Sequence, residues 1–365
     1  MNLEFFPSRT LTFYLARLFT TRILAVLFML VLVLQMLDLL GQSGDILAYP
    51  GNGQAQLLHY VGLRIPQLIA RFLPYSVLLA TIITLATLNQ NSEVISMKAA
   101  GLSAHQVLAP LVATALVISG LSFLFNERIV THATASLNAW EAVDYGPVPR
   151  SASARNNLYI AEGRDILLAG TLSGEGDAMV MTQVTYYRRD AAGMIVEQLR
   201  APRATYANPG WRLEQPVRFD AQAVKASKLD SAVVAKGVTP GRIAISGVDA
   251  DAEGLFTLTN SIDAMAVAGR RTTDLKAAWW HKLSGPLSAA LMPLLGAIAA
   301  FGLARSGQLL IRAVIGMALG FAYFVFDNAA LAMGNFGGYP PFVAAWAPFL
   351  LFLLIGETVL IRTEE

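Results

Sequence analysis

Hydrophobic residues in this chain form long runs, interrupted only by single polar residues, toward both ends and short alternating patterns in the middle. Six runs approach the roughly 20 apolar residues that a helix needs to cross a hydrocarbon core: 23–40, 57–88, 107–125, 283–304, 313–333 and 342–361. The second is overlong and holds Pro66 and Pro74, so it is expected to tilt or kink. Between about 157 and 236 the period changes to two: "NNLYIAEGRDILLAG", "MVMTQVTYYRR", "MIVEQLRAPRATYA" and "WRLEQPVRFDA" alternate apolar with polar positions. "DAAG" (190–193) and "ANPG" (207–210) are short connections of the kind that join antiparallel strands. The expected fold is a membrane α-helical protein with six transmembrane helices and an inserted all-β domain, a sheet sandwich or open barrel. The expected bounds are 1–125 for three helices, 126–275 for the β domain and 276–365 for three more helices. Inward positions of the strands include Val184, Tyr186 and Leu213, which face either acyl chains or an ordinary core.

Composition agrees with the pattern: 55% of residues are hydrophobic and 14% charged, too apolar for an ordinary soluble protein. Lys and Arg then set an orientation. Arg9, Arg17 and Arg22 precede the first run, Lys98 lies between the second and third, Arg305 and Arg312 flank the turn between the fourth and fifth, and Arg362 follows the sixth. The opposite loops, "GQSGDILAYPGNGQAQ" and "GNFGGYPP", hold neither residue type. Both termini are expected to be cytoplasmic, with the β domain outside. The first run is long and lacks a small-residue cleavage site, so it reads as a retained anchor.

Chemistry is sparse. Cysteine is absent, which excludes disulfides, thiolate metal sites and thiol nucleophiles. With a net charge of +2 and no basic tract interleaved with aromatics, nothing points to nucleic acid. There is no P-loop, no Gly-x-Ser-x-Gly elbow, no His-Glu-x-x-His helix and no dinucleotide-binding glycine pattern. His59, His105, His132 and His281 lack metal-ligand spacing and read as isolated interfacial histidines, so neither cofactor nor metal is expected. Any ATP-driven transport would need its engine on another chain.

A polar segment between the second and third runs, "LNQNSEVISMKAAGLS" (88–103), reads as a short helix of its own. Glu93, Ser96, Met97 and Ala100 fall on one side at helical spacing, an acid among small residues that suits a cleft carrying an arginine. Alternatively Glu93 complements the helix dipole, with Asn91 or Ser92 as N-cap. A second group lies deeper. Counted at 1.5 Å per residue, Asp38, Arg64, Arg71, Lys282 and Asp327 sit roughly 24 Å or more across a core of about 30 Å. Arg64 and Arg71 are seven residues apart, hence on one stripe. They either snorkel to the interface or pair across helices and face a cavity. Glu357, nearer the cytoplasm, is expected to pair with Arg312 or Arg362.

The blocks "LPYSVLLATIITLATLNQNSEVISMKAAGLS" (73–103), "WWHKLSGPLSAALMPLLGAIAAFGLARSGQLLIRAVIGMALGFAYFVFDN" (279–328) and "GGYPPFVAAWAPFLLF" (337–352) resemble the LptF/LptG (YjgP/YjgQ) permeases of the lipopolysaccharide exporter, the LptG branch more than LptF. The resemblance covers nearly the whole chain. It implies a Gram-negative inner-membrane subunit with a periplasmic jellyroll-like domain that hands lipopolysaccharide to a periplasmic bridge. The partners it implies are an LptB-like ATPase dimer, an LptF-like permease and an LptC-like protein. It also implies that about 91–103 is the coupling helix seated in the ATPase, with Ser92, Glu93, Met97, Ala100 and Gly101 at the junction. One departure stands out: LptG-like chains often carry lysines at the outer end of the first span, and "LQMLDLLGQSGD" has none. The lipid-binding candidates are then Arg64, Arg71, Lys282, Asp38 and Asp327. An ion-coupled transporter using Asp38 and Asp327, or a membrane scaffold, are the alternatives.

Overall fold

A computed structural model describes the chain apart from residues 1–5, 142, 148–154, 174–177, 192, 222–224, 241–242, 244–247, 268–269, 302–308 and 365. It divides into two compact units, a helical one (Met1–Gly44, Gln54–Thr134 and Ala250–Glu365) and one built on a sheet (Asp45–Gly53 and Ala135–Asp249). Helices α1 (Arg9–Ala48), α2 (Gln54–Gln90), α3 (Glu93–Ala99) and α4 (Ala104–Phe125) come first. A π-helical turn (Asn126–Val130) then joins α4 to α5 (Thr131–Glu141). After the sheet come α6 (Leu255–Val267), α7 (Thr273–Phe301), α8 (Leu309–Asn335) and α9 (Pro341–Glu364).

Each predicted apolar run lies on one of these helices. Among the described residues five stretches are long and apolar enough to cross a membrane: Arg9–Ala48, Gln54–Gln90, Ala104–Glu141, Val314–Asn335 and Pro341–Thr358. Of the run at 283–304, residues 283–301 fall on α7, which contributes most of the packing, and 302–304 lie outside the described residues. α7 lies against α2, α4, α8 and α9. Leu291, Met292 and Leu295 from α7 join Leu85, Leu88, Val107, Leu111, Tyr323 and Phe352 in one buried cluster. Small residues allow the close approach: a Cβ on Gly296 would lie 2.7 Å from Thr81 Cγ2, and one on Gly334 2.4 Å from the Ala344 Cβ. α2 runs unbroken through Pro66 and Pro74. α1 is packed unevenly. Leu15, Phe19 and Ile23 are buried, whereas Leu32, Met36, Leu37 and Leu40 in its second half are exposed.

The sheet unit is antiparallel throughout. β1 (Arg155–Glu162), β2 (Asp165–Ser173), β3 (Val180–Arg189) and β4 (Ile195–Tyr206) form a meander, with turns at 190–193 and 207–210 as predicted. The segment expected as one strand at 211–221 is two, β5 (Trp211–Glu214) and β6 (Val217–Asp220). Gln215 has φ of 49° and Pro216 cannot donate to a ladder, so the chain kinks there. Both pieces pair with β4, β5 at Arg203–Tyr206 and β6 at Glu197–Arg200, and β8 (Ser231–Val234) and β7 (Lys225–Lys228) repeat the kink on the next path. The described strands thus form one eight-stranded sheet. Val184, Tyr186 and Leu213 are all buried, in a core with Leu167, Met181, Leu199 and Trp211. Burial, and a 2.7 Å hydrogen bond that its hydroxyl donates to Asp165 Oδ2, push the Tyr186 phenol well above its usual pKa. Glu197 is held between Arg188 (2.7 Å) and Arg218 (2.5 Å), an ion-pair ladder across β3, β4 and β6.

Because Gly334 meets a rigid Cβ rather than a movable side-chain end, Gly334→Val is expected to force α8 and α9 apart, at about 1–3 kcal/mol. Its thermal unfolding midpoint in detergent should fall. Gly120→Ala in α4, with nothing within 4 Å, should leave the midpoint unchanged or raise it slightly.

Candidate functional site

The polar segment at 88–103 is a helix between two turns. α2 stops at Gln90, and Ser92 takes the N-cap position of α3. The predicted cap is absent: Ser92 has φ of 60°, and its side chain makes no capping bond. Gly101, at φ 88°, lets the chain reverse, with Leu102 N donating to Met97 O and Gly101 N to Lys98 O. Ser103 and Gln106 then start α4 with a reciprocal capping box.

Glu93 is tied inside the chain. Its Oε2 accepts a 3.0 Å hydrogen bond from the Tyr14 hydroxyl on α1, and its Oε1 accepts one of 3.3 Å from Asn91 Nδ2. Arg22, whose Nη1 donates to Ile83 O at 2.9 Å, is within coulombic reach of both Tyr14 and Glu93. Met97 corrects the sequence reading. It points with Val94 into the helical core, only 8% exposed, so it anchors α3 from behind and does not share an outward face with Glu93. The exposed face consists of Ser92, Ser96, Ala99, Ala100 and Gly101 around Ile95, which is 62% exposed. Sequence reasoning passed over Ile95, although an isoleucine in a polar segment between apolar runs was the available signal.

The deeper charged residues separate into two groups. Asp38 on α1 binds Arg64 on α2 through Nη2 at 2.9 Å and Nε at 3.2 Å, with the side chains 19% and 30% exposed. Tyr60 donates to Asp38 Oδ2 at 2.6 Å, and Arg64 Nη1 to Gln67 Oε1 at 2.7 Å. Arg71, on the same stripe of α2 as Arg64, is exposed and has no ion-pair partner among the described residues. In the other group Asp327 on α8 is buried and meets His281 Nε2 on α7 at 3.0 Å. Tyr75 on α2 stacks on Phe324 of α8 with ring centroids 3.8 Å apart and lies within coulombic reach of Arg71 and Asp327. Lys282 follows His281 on α7, half-buried.

At least two of the histidines are therefore not isolated. His281 pairs with Asp327, 46 residues away, and His105 lies 3.8 Å from Glu357. Glu357 thus has a partner other than the arginines expected for it. Arg305 lies outside the described residues, as do the side chains of Arg312 and Arg362.

Long apolar helices with ion pairs seated partway along them, and a small polar helix exposed between two of them, are the build of a polytopic membrane protein. The sequence model of the family described as "Lipopolysaccharide export system permease LptF/LptG" matches residues 13–362, and the chain belongs to that family. It is 24% identical to the lipopolysaccharide export system permease protein LptG of Escherichia coli strain K12 over 363 residues, 98% of this chain and 99% of the relative. It is 23% identical to the protein of the same name from Haemophilus influenzae over 317 residues, 85% and 87% of the two chains.

The geometry of the charged group separates its two arginines. Arg64→Ala leaves Asp38 half-buried without its cation and is expected to destabilise the helical unit by about 1–3 kcal/mol. Arg71→Ala should be close to neutral. A double-mutant cycle with Asp38→Ala, read by thermal unfolding in detergent, should show strong coupling to Arg64 and none to Arg71.

Proposed function

We propose that this chain is the permease subunit of an ATP-binding-cassette transporter that extracts lipopolysaccharide from the periplasmic leaflet of the inner membrane and passes it to a periplasmic bridge. The observation that carries this reading is the family match over 13–362, which takes in the helices and the inserted sheet together. Both termini are cytoplasmic, the membrane-crossing helices lie in 1–125 and 276–365, and the jellyroll-type sheet within 126–275 is periplasmic. ATP is hydrolysed by an LptB-like dimer. An LptF-like permease and an LptC-like protein complete the assembly.

α3 and its flanks, about 91–103, are the coupling helix. An ATPase cleft receives the Ile95 side chain, and the small residues Ser92, Ser96, Ala100 and Gly101 let the two backbones approach. Glu93 meets an arginine of the ATPase while Tyr14 orients its carboxylate, and Met97 holds the helix from within. At the periplasmic end Arg71 offers an exposed guanidinium to a lipid phosphate, a group that arginine grips with two parallel hydrogen bonds. Lys282 adds positive charge to that end. Asp38 and Asp327, the sites an ion-coupled carrier would use, are each bound to a basic partner.

Glu93→Ala is expected to leave the partner arginine unpaired at a buried junction, at about 3–5 kcal/mol. Less ATPase should co-purify, and ATP-driven lipopolysaccharide release should fall. Normal co-purification with normal release would refute the docking role. Arg64→Ala combined with Arg71→Ala should weaken lipopolysaccharide-stimulated ATPase activity more than loss of Arg305 and Arg312 together, after correction for expression. Equal stimulation in the first pair and the wild type would mean that those arginines only snorkel.

A further inference from the structure

We propose that the Asp38–Arg64 ion pair is a latch that holds the second half of α1 against α2, and that the phosphate of a lipid ligand opens it by taking Arg64 from Asp38. The proposal rests on the function given above and adds how the lipid is recognised.

Three observations converge on this pair. Asp38 is heavily bonded: Arg64 supplies Nη2 and Nε, and the buried Tyr60 supplies its hydroxyl at 2.6 Å. The helix that Asp38 fastens is otherwise poorly seated there, since Leu32, Val33, Met36, Leu37 and Leu40 around it are all exposed. One turn before Asp38, Gln35 is only 7% exposed, and neither Oε1 nor Nε2 of its amide has a hydrogen-bond partner among the described residues. Gln35 continues the buried stripe of Ile23 and Val31 at four-residue steps, where an apolar residue would pack without that loss. A buried amide with nothing to bind is a cost of the closed position, relieved when α1 moves and the amide reaches a ligand oxygen.

The exchange is favourable on charge. A phosphate monoester carries close to two negative charges and three acceptor oxygens, against one charge and two oxygens for Asp38. Once it occupies the Arg64 fork it also repels Asp38, so binding and release of α1 are a single event. Arg71, two helical turns further along the same stripe of α2 and exposed, adds a second guanidinium to the phosphate's path. Apparent affinity then scales with the fraction of molecules in which the latch is open. Weakening the latch must tighten lipid binding, the reverse of what loss of a merely structural ion pair does.

The test is ATPase stimulation of the complex purified from its native membrane, titrated with lipopolysaccharide, with lipopolysaccharide stripped of its phosphates, and with inorganic phosphate. In the wild type, intact lipid should stimulate while stripped lipid does so weakly. Asp38→Asn should lower the half-maximal concentration of intact lipid about tenfold, the ratio that corresponds to one weakened charge-assisted contact, and should let stripped lipid stimulate. Tyr60→Phe, which removes one donor from Asp38, should shift the titration the same way by less, and it decides the matter if Asp38→Asn does not fold. An unchanged or raised half-maximal concentration in these variants, with the wild type responding normally, overturns the latch and leaves the permease reading standing. Stimulation of the wild type by inorganic phosphate alone overturns lipid as the opener. No response of the wild type to lipopolysaccharide defeats the permease reading and the latch with it.

Discussion

In the helical unit nearly everything depends on how closely other helices approach α7. Within hydrocarbon there is no water to drive helices together, so association rests on packing and on the few side-chain bonds that cross between them. α7 meets this need with alanines and glycines where α2 and α9 come near, and with leucines and Met292 in the gaps. It also contributes a polar bond deep in the packing, where Ser119 Oγ on α4 donates to the Pro286 carbonyl at 2.7 Å.

How much was legible beforehand follows from the range of each interaction. Helices and strands are local, and the apolar runs and period-two stretches located them well. The turns at 190–193 and 207–210 were readable because Asp, Asn, Pro and Gly act within four residues. The break between β5 and β6 was missed even though Gln215-Pro216 announces it, because alternation continues across it when read as letters. That these charges pair across helices was one of the two readings open from the sequence, but the choice of partners was not legible. Asp38 is 26 residues from Arg64, and His281 is 46 from Asp327, so only the packing of α1 on α2 and of α7 on α8 decides which acid finds which base.

Met97 shows the same limit within a single short helix. A helical wheel ranks positions by angle but does not say which angle faces the protein. Val94 and Met97 take the inward side because α2 and α4, on either side of α3, already bury Leu88 and Val107 there. Ile95 is consequently left outside. Its exposure, unexplained by the fold, becomes useful once a partner protein is expected at that face.

α1 joins the two places where the chain carries chemistry. Near its start Tyr14 holds Glu93 on the proposed coupling helix; Asp38, 24 residues later and thus about 36 Å along a continuous helix, holds Arg64 at the proposed lipid end. The first part of α1 is packed into the core through Leu15, Phe19 and Ile23, while the second is largely bare. A rod anchored at one end and latched at the other carries displacement in either direction. On the proposed function, a partner's push on α3 reaches α1 at Tyr14, and opening of the proposed latch frees the far half of the same helix. The proposed coupling between an ATPase on one side and a lipid on the other then needs no chain of intermediate contacts, because one unbroken helix has a side-chain bond near each end.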